Sequence, residues 1–162
     1  MNATSDADAV LALRDLVYRY ASALDRRDGD ALLTVFWPDA VVRVFPPGAD
    51  EPMGETRGHD QIQMMAPGMA ARFAQTMHVI SNPVCTVDGD AATGSAYCVA
   101  HHLILDDPSP RTFVVHLRYD DEFRRDDRDE WRIVHRDIRF LWTAEGPPPL
   151  AWETAVERGR LG

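Results

Sequence analysis

The chain has 162 residues, of which 45% are hydrophobic and 27% are charged, as in one ordinary globular domain. Its formal net charge of -9 at pH 7 argues against nucleic acids and anionic membranes as partners. No apolar run approaches the roughly 20 residues that span a bilayer, and the two cysteines make no disulfide framework, so we expect a cytoplasmic protein.

In the first part of the chain, hydrophobic residues recur with the 3.6-residue period of amphipathic helices. From about residue 8 to Asp25, apolar residues recur every three or four positions and form one buried stripe. The elements predicted next are, in order, a short helix (28–36) ended by Trp37-Pro38-Asp39, a strand (40–45), a polar loop (49–58) and a third helix (58–73).

Beyond this region the period of the hydrophobic residues changes from 3.6 residues to 2. The pattern predicts four long strands, at 76–87, 91–105, 112–125 and 130–142. Strands this much longer than the usual five or six residues must twist, and would wrap over the preceding helices. We therefore predict an α+β architecture in which N-terminal helices pack in the concave face of a long, curved, mostly antiparallel sheet, with a cavity between them. The domain would span residues 1–145, and the proline-rich segment 146–162 would be a C-terminal tail over a neighbouring surface or the pocket mouth.

Two ionisable residues lie where the local patterns do not require them. Asp25 lies in the last turn of a helix, next to the negative end of the helix dipole, where a carboxylate is unfavourable. His78 interrupts an apolar strand and loses stability unless it finds a hydrogen-bond partner. If the fold brings the two together, the result is an oriented general base.

These residues belong to a series of short motifs whose order and spacing resemble the SnoaL-like group of the nuclear transport factor 2-like superfamily. That group includes scytalone dehydratase, polyketide cyclases and lindane dehydrochlorinase. The resemblance implies a cone-shaped α+β barrel whose open end admits a small hydrophobic ligand. Among the motifs are Arg19-Tyr20-Ala21-x-Ala23-Leu24-Asp25, Thr76-x-His78-x-Ile80-x-Asn82, Arg118-Tyr119-x-Asp121 and Trp131-Arg132-Ile133.

The resemblance also implies catalytic residues. Asp25 and His78 match the acid and the histidine that form the dyad in scytalone dehydratase and in lindane dehydrochlorinase. His102 matches the second catalytic histidine of the dehydratase, although a slip of one residue would choose His101 instead. Because neighbours on a strand point to opposite faces, one of these two histidines can face the cavity and the other cannot.

The same comparison suggests residues that bind substrate. Tyr20 falls at a pocket-lining position of the dehydrochlorinase, and His135 takes the place of that enzyme's pocket arginine. Tyr97 and Trp37 are further aromatic candidates for the cavity wall. Leu24 occupies the position of a water-binding tyrosine in the dehydratase, so a literal scytalone dehydratase activity is not expected.

The resulting hypothesis is a cofactor-independent lyase or isomerase, of dehydratase or cyclase type, acting on a small hydrophobic cyclic carbonyl compound. Asp25, His78 and His102 could in principle hold a metal, but members with the dyad need none, so no metal and no cofactor are predicted. The alternatives are a non-catalytic small subunit of a ring-hydroxylating dioxygenase and a simple small-ligand-binding module. A homo-oligomer, either a dimer or a trimer, is expected because the outer face of the sheet would lie exposed.

Overall fold

The computed structural model describes residues 3–105 and 110–147. The predicted tail lies outside the described residues from residue 148 onward, so the boundary proposed near residue 145 stays a prediction. The elements are α1 (Ala3–Asp25), α2 (Gly29–Leu33), β1 (Phe36–Phe45), β2 (Gly54–Arg57), α3 (Gly58–Gln63), α4 (Met65–Arg72), β3 (Gln75–Asp88), β4 (Ala91–Ile104), β5 (Arg111–Arg125) and β6 (Trp131–Gly146).

The six strands form one sheet in the order β2-β1-β6-β5-β4-β3. All neighbouring strands are antiparallel except β1 and β6, which run parallel. The helices lie against one face of this sheet, and the apolar core forms between the two layers. The predicted α+β architecture is therefore confirmed.

Helix α1 forms because its apolar residues share one stripe. Leu13, Leu16, Tyr20 and Leu24 are each at most 3% exposed, while residues on the opposite side of the helix, such as Tyr18, are exposed. This stripe packs mainly on β3, at one edge of the sheet, and also contacts the inner strand β6. None of the helices in the described part of the chain combines the length and apolar character needed to cross a bilayer.

Several elements differ from the sequence-based expectation, among them the predicted helix over 58–73, which is divided into α3 and α4. The second helix ends at Leu33, and Phe36 already begins β1, so Trp37-Pro38-Asp39 lies inside a strand. The ladder between β1 and β6 shifts register between Phe36 and Val41, and proline is tolerated in a strand at such an irregularity. Strand β2 was expected to be loop, because its four residues are polar and do not alternate.

Candidate active site

Asp25 and His78 are in direct contact, although 53 residues separate them in the chain. Nδ1 of His78 lies 2.7 Å from Oδ1 of Asp25, and the His78 backbone N–H donates to Oδ2 at 2.9 Å. The Thr76 hydroxyl also donates to Oδ1, at 2.9 Å. The carboxylate that ends α1 therefore receives three hydrogen bonds from the first residues of β3.

The electrostatics of this pair define the tautomer of His78. Burial raises the pKa of Asp25, but the hydrogen bonds from the His78 ring, the His78 amide and Thr76 outweigh it and hold the pKa below its usual value. An ionised carboxylate only accepts hydrogen bonds, so Nδ1 of His78 carries the proton. In the neutral ring Nε2 is then the basic nitrogen. The His78 side chain is only 5% exposed, which keeps water from competing for it.

His102, rather than His101, faces the same side of the sheet as His78. Its side chain lies opposite Thr76 on the neighbouring strand, and the rings of His78 and His102 meet edge to face with centroids 5.9 Å apart. Burial lowers the pKa of His102 to about 4, so the ring is neutral at pH 7. Its Nδ1 lies 3.1 Å from the Phe113 carbonyl oxygen and must donate to it, which leaves Nε2 as an acceptor.

A second buried cluster surrounds Arg136, a residue that the sequence analysis did not select. Arg136 is fully buried and makes two hydrogen bonds of 2.7 Å to the carboxylate of Asp121. Its guanidinium carbon lies 4.2 Å from the ring centroid of Tyr20 and 4.3 Å from that of Tyr119. Its Nη1 is buried without a hydrogen-bond partner among the described residues. The strand period could have found Asp121, which shares the buried face of β5 with Leu117, Tyr119 and Phe123.

His135 does not lie in this cluster, contrary to the expectation that it lines the pocket. Its Nε2 bonds Asp137 at 2.7 Å on the opposite face of the sheet. The reason is an irregularity between β5 and β6: Ile133 pairs with Phe123 and His135 with Glu122, so Val134 is an extra residue on β6. A bulge of this kind reverses which residues face inward, and the inward position falls to Arg136.

The other predicted site residues are divided between the interior and the outer face. Tyr20 is 1% exposed and lies in the core, against Phe36 and Tyr119. Tyr97 is 44% exposed and lies on the outer face of β4, so it does not line the interior. Trp37 is partly buried beneath the guanidinium groups of Arg124 and Arg132.

Two surface pockets lie away from the dyad, and neither is the expected chamber. A pocket of about 610 Å³ lies between α1 and the turn that joins β5 to β6, and another of about 810 Å³ lies beside Arg27 and Gln63. Neither is lined by Asp25 or His78. Within the described ranges, no group of three or more His, Cys, Asp or Glu side chains is placed to hold a metal ion.

Comparisons with known proteins identify the family. A family model described as a SnoaL-like domain matches residues 5–137. An uncharacterized protein of Mycobacterium tuberculosis is 31% identical over 126 residues, which cover 78% of this chain and 81% of that protein. The resemblance inferred from the short motifs is therefore confirmed.

Solved structures share the fold. A candidate scytalone dehydratase from Novosphingobium aromaticivorans has a TM-score of 0.76 at 19% identity and covers 88% of this chain and 91% of its own. The hexachlorocyclohexane dehydrochlorinase LinA-type3 from Novosphingobium barchaimii has a TM-score of 0.77 at 17% identity, with coverages of 91% and 100%. A candidate aromatic ring hydroxylase from Novosphingobium aromaticivorans is 29% identical, with a TM-score of 0.70 and coverages of 85% and 92%.

Proposed function

The chain belongs to the SnoaL-like family, and from this premise we propose that it is a cofactor-independent lyase or isomerase that uses Asp25 and His78 to remove a proton from a small hydrophobic cyclic carbonyl compound. The observation that carries the proposal is the 2.7 Å contact between His78 Nδ1 and the Asp25 carboxylate. A core histidine needs only a backbone carbonyl to satisfy its ring. The half-buried Asp25 carboxylate in its place fixes the Nδ1–H tautomer of His78 and stabilises the imidazolium that forms when Nε2 takes a proton.

In the proposed step, Nε2 of His78 takes a proton from the carbon next to the substrate carbonyl. The C–H electron pair moves into the carbon framework, and negative charge develops on the carbonyl oxygen. Asp25 stays a carboxylate and stabilises the imidazolium that forms, without taking the proton itself. Dehydration, double-bond shift and aldol-type cyclisation all begin with this step.

The developing oxyanion needs a hydrogen-bond donor, and we propose Tyr20 and Arg136 for this role. Burial raises the pKa of Tyr20 to about 12, so its hydroxyl stays protonated. Nη1 of Arg136, which has no hydrogen-bond partner among the described residues, is a second donor, and the guanidinium carbon lies over the Tyr20 ring. The one N–H of the neutral His102 ring is already used on the Phe113 carbonyl. We therefore propose that His102 Nε2 accepts a hydrogen bond from a substrate hydroxyl.

Besides a simple small-ligand-binding module, a second candidate function is that of a non-catalytic small subunit of a ring-hydroxylating dioxygenase. The 29% identity to a candidate aromatic ring hydroxylase favours it. The Asp25–His78 pair is what separates the two candidates, because a purely structural subunit has no use for an oriented base.

The test is the exchange of the α-hydrogens of cyclohexanone, 1-indanone and 1-tetralone for deuterium in D2O. Proton NMR measures the rate of this exchange. We expect the protein to accelerate exchange of at least one of these cyclic ketones above the buffer rate. His78→Ala and Asp25→Asn should each lower the accelerated rate by about 10²–10⁴. The reason is that the first removes the base and the second removes the carboxylate that orients it.

Two substitutions serve as matched controls. His101→Ala removes an imidazole from the outer face of β4, and Asp15→Asn removes an exposed carboxylate from α1, whose side chain is 64% exposed. Both should exchange at the wild-type rate, and circular dichroism should show all four variants folded. Wild-type rates in His78→Ala or Asp25→Asn would refute the mechanism, and binding without any exchange would favour the ligand-binding module.

A further inference from the structure

Arg27 occupies a backbone conformation that usually selects glycine. Its φ is 60°, in the left-handed region. The Asp28 N–H donates to the Ala23 carbonyl at 2.9 Å and the Arg27 N–H to the Leu24 carbonyl at 3.0 Å, which is the Schellman pattern that ends a helix. A residue with a Cβ is strained at the left-handed position of this motif, where glycine is not. The arginine is therefore placed there against its local preference.

The Arg27 side chain bridges to a distant part of the chain. Its Nη2 donates to the carbonyl oxygen of Phe73, at 3.3 Å, and also to that of Ala74. These two residues connect the end of α4 to the start of β3. The Ala74 N–H in turn donates to the Leu103 carbonyl at 2.8 Å, which ties the same point to β4. Arg27 thus joins the end of α1 to the beginning of β3.

Both partners of the dyad lie immediately beside this bridge. Asp25 precedes Arg27 by two residues, and Thr76 and His78 follow Ala74 by two and four. Strand β3 is at the edge of the sheet, and its His78 N–H donates to Asp25 instead of to another strand. The relative position of α1 and the edge strand therefore decides whether the three bonds to Asp25 can form.

We propose that Arg27 is a positioning residue, whose guanidinium holds the first residues of β3 against the end of α1 and so fixes His78 on Asp25. Its consequence for catalysis rests on the proposed function, but the positioning itself does not. The same bridge fixes Phe73, whose ring packs on His102 with centroids 4.2 Å apart.

The experiment is amide hydrogen exchange measured by NMR on the ¹⁵N-labelled protein, with no ligand added. Arg27→Gly removes the guanidinium and puts glycine, the preferred residue, at the left-handed position. Helix α1 should therefore still end at the same residue. We expect the His78 amide to exchange about tenfold faster or more, and the downfield resonance of the His78 Nδ1–H to broaden. Amides of α1 before Leu24 should exchange as in the wild type.

Arg26→Ala is the matched control, because it removes the same charge from the neighbouring, exposed position. It should leave exchange at His78 within about twofold of the wild type. Should Arg27→Gly fail to fold, Arg27→Met decides the matter, since its unbranched side chain has no N–H to donate to either carbonyl, and faster exchange at His78 is again expected.

Wild-type protection of His78 in the folded Arg27 variant would overturn the inference and leave Arg27 as a helix cap. This outcome is independent of the ketone assay. Inactive wild-type protein with exchange at His78 that depends on Arg27 would refute the proposed function alone, and the reverse pattern would refute only the positioning role.

Discussion

His102 is a buried base that the fold keeps neutral. Only 6% of the residue is exposed, and its ring lies between Phe73 and Phe113. Its desolvation lowers the pKa from 6.5 to about 4. In the unfolded chain the same ring has its ordinary pKa of 6.5. Below pH 6.5 the unfolded state therefore binds more protons, and the folded state loses stability as the pH falls from 6.5 towards 4.

This linkage predicts a pH dependence of unfolding. His102 should contribute a loss of about 2 kcal/mol in the free energy of unfolding between pH 7 and pH 5. His102→Gln keeps a donor for the Phe113 carbonyl but does not titrate, so urea unfolding at the two pH values should show a correspondingly smaller loss. The control is His101→Gln, on the outer face of the same strand, which should keep the full loss. If His102→Gln lost as much unfolding free energy between pH 7 and pH 5 as the wild type, the His102 ring would not be desolvated in solution.

At the scale of single residues, the sequence predicted those site residues whose chemistry is unfavourable in the element that carries them. Asp25 and His78 stood out because an acid at a helix end and a histidine in an apolar strand both need a partner. Arg136 could not be preferred over His135, because the extra residue Val134 that decides between them is a property of the β5–β6 pairing. The bridge from Arg27 was invisible for a similar reason, since its acceptors are backbone carbonyls more than 40 residues away.

Strands β3 and β4 approach each other unusually closely at Gly94. A Cβ atom added there would lie 2.8 Å from the Val84 carbonyl oxygen, 3.0 Å from the Cys85 sulfur and 3.2 Å from the Phe123 ring. The neighbouring ladder is irregular between Ser81 and Val84. The backbone cannot yield without moving β3, the strand that carries His78.

Gly94→Ala should therefore lower the free energy of unfolding by about 1–3 kcal/mol, as other overpacked sites do. The matched control is Gly68→Ala in α4, where an added Cβ meets nothing within 4 Å. That substitution should instead raise stability by about 0.5–1 kcal/mol, because alanine favours the helix. Urea unfolding monitored by circular dichroism measures both. Equal effects of the two substitutions would contradict the close approach at Gly94.

Long periodic elements were predictable, and short ones that depend on pairing were not. Helix α1 and strands β3 to β6 follow from periods of 3.6 and 2 sustained over a dozen residues or more. Strand β2 has only four residues, and it exists because its backbone pairs with β1. The start of β1 was hidden by Pro38, which is accommodated where the register of the ladder shifts.

At the scale of the whole molecule, the outer face of the sheet carries an apolar surface. Val79, Val99, His116 and Trp142 lie side by side across β3, β4, β5 and β6. His116 stacks on Trp142 with centroids 4.4 Å apart, and Trp142 is 55% exposed. We call this row, with the flanking Met77 and Tyr97, the outer patch. A contiguous apolar surface of this kind is typical of a protein–protein interface.

We propose that the outer patch is where copies of the chain associate, as expected for a homo-oligomer. Met77→Glu places a charge on the patch, at a residue that is 53% exposed, so it should weaken association without disturbing the core. Met53→Glu is the matched control, because Met53 is 58% exposed but lies in the loop before β2, outside the patch. Size-exclusion chromatography with light scattering should show an oligomer for the wild type and Met53→Glu, and a smaller species for Met77→Glu. A wild-type monomer, or equal masses for the two variants, would rule out this interface.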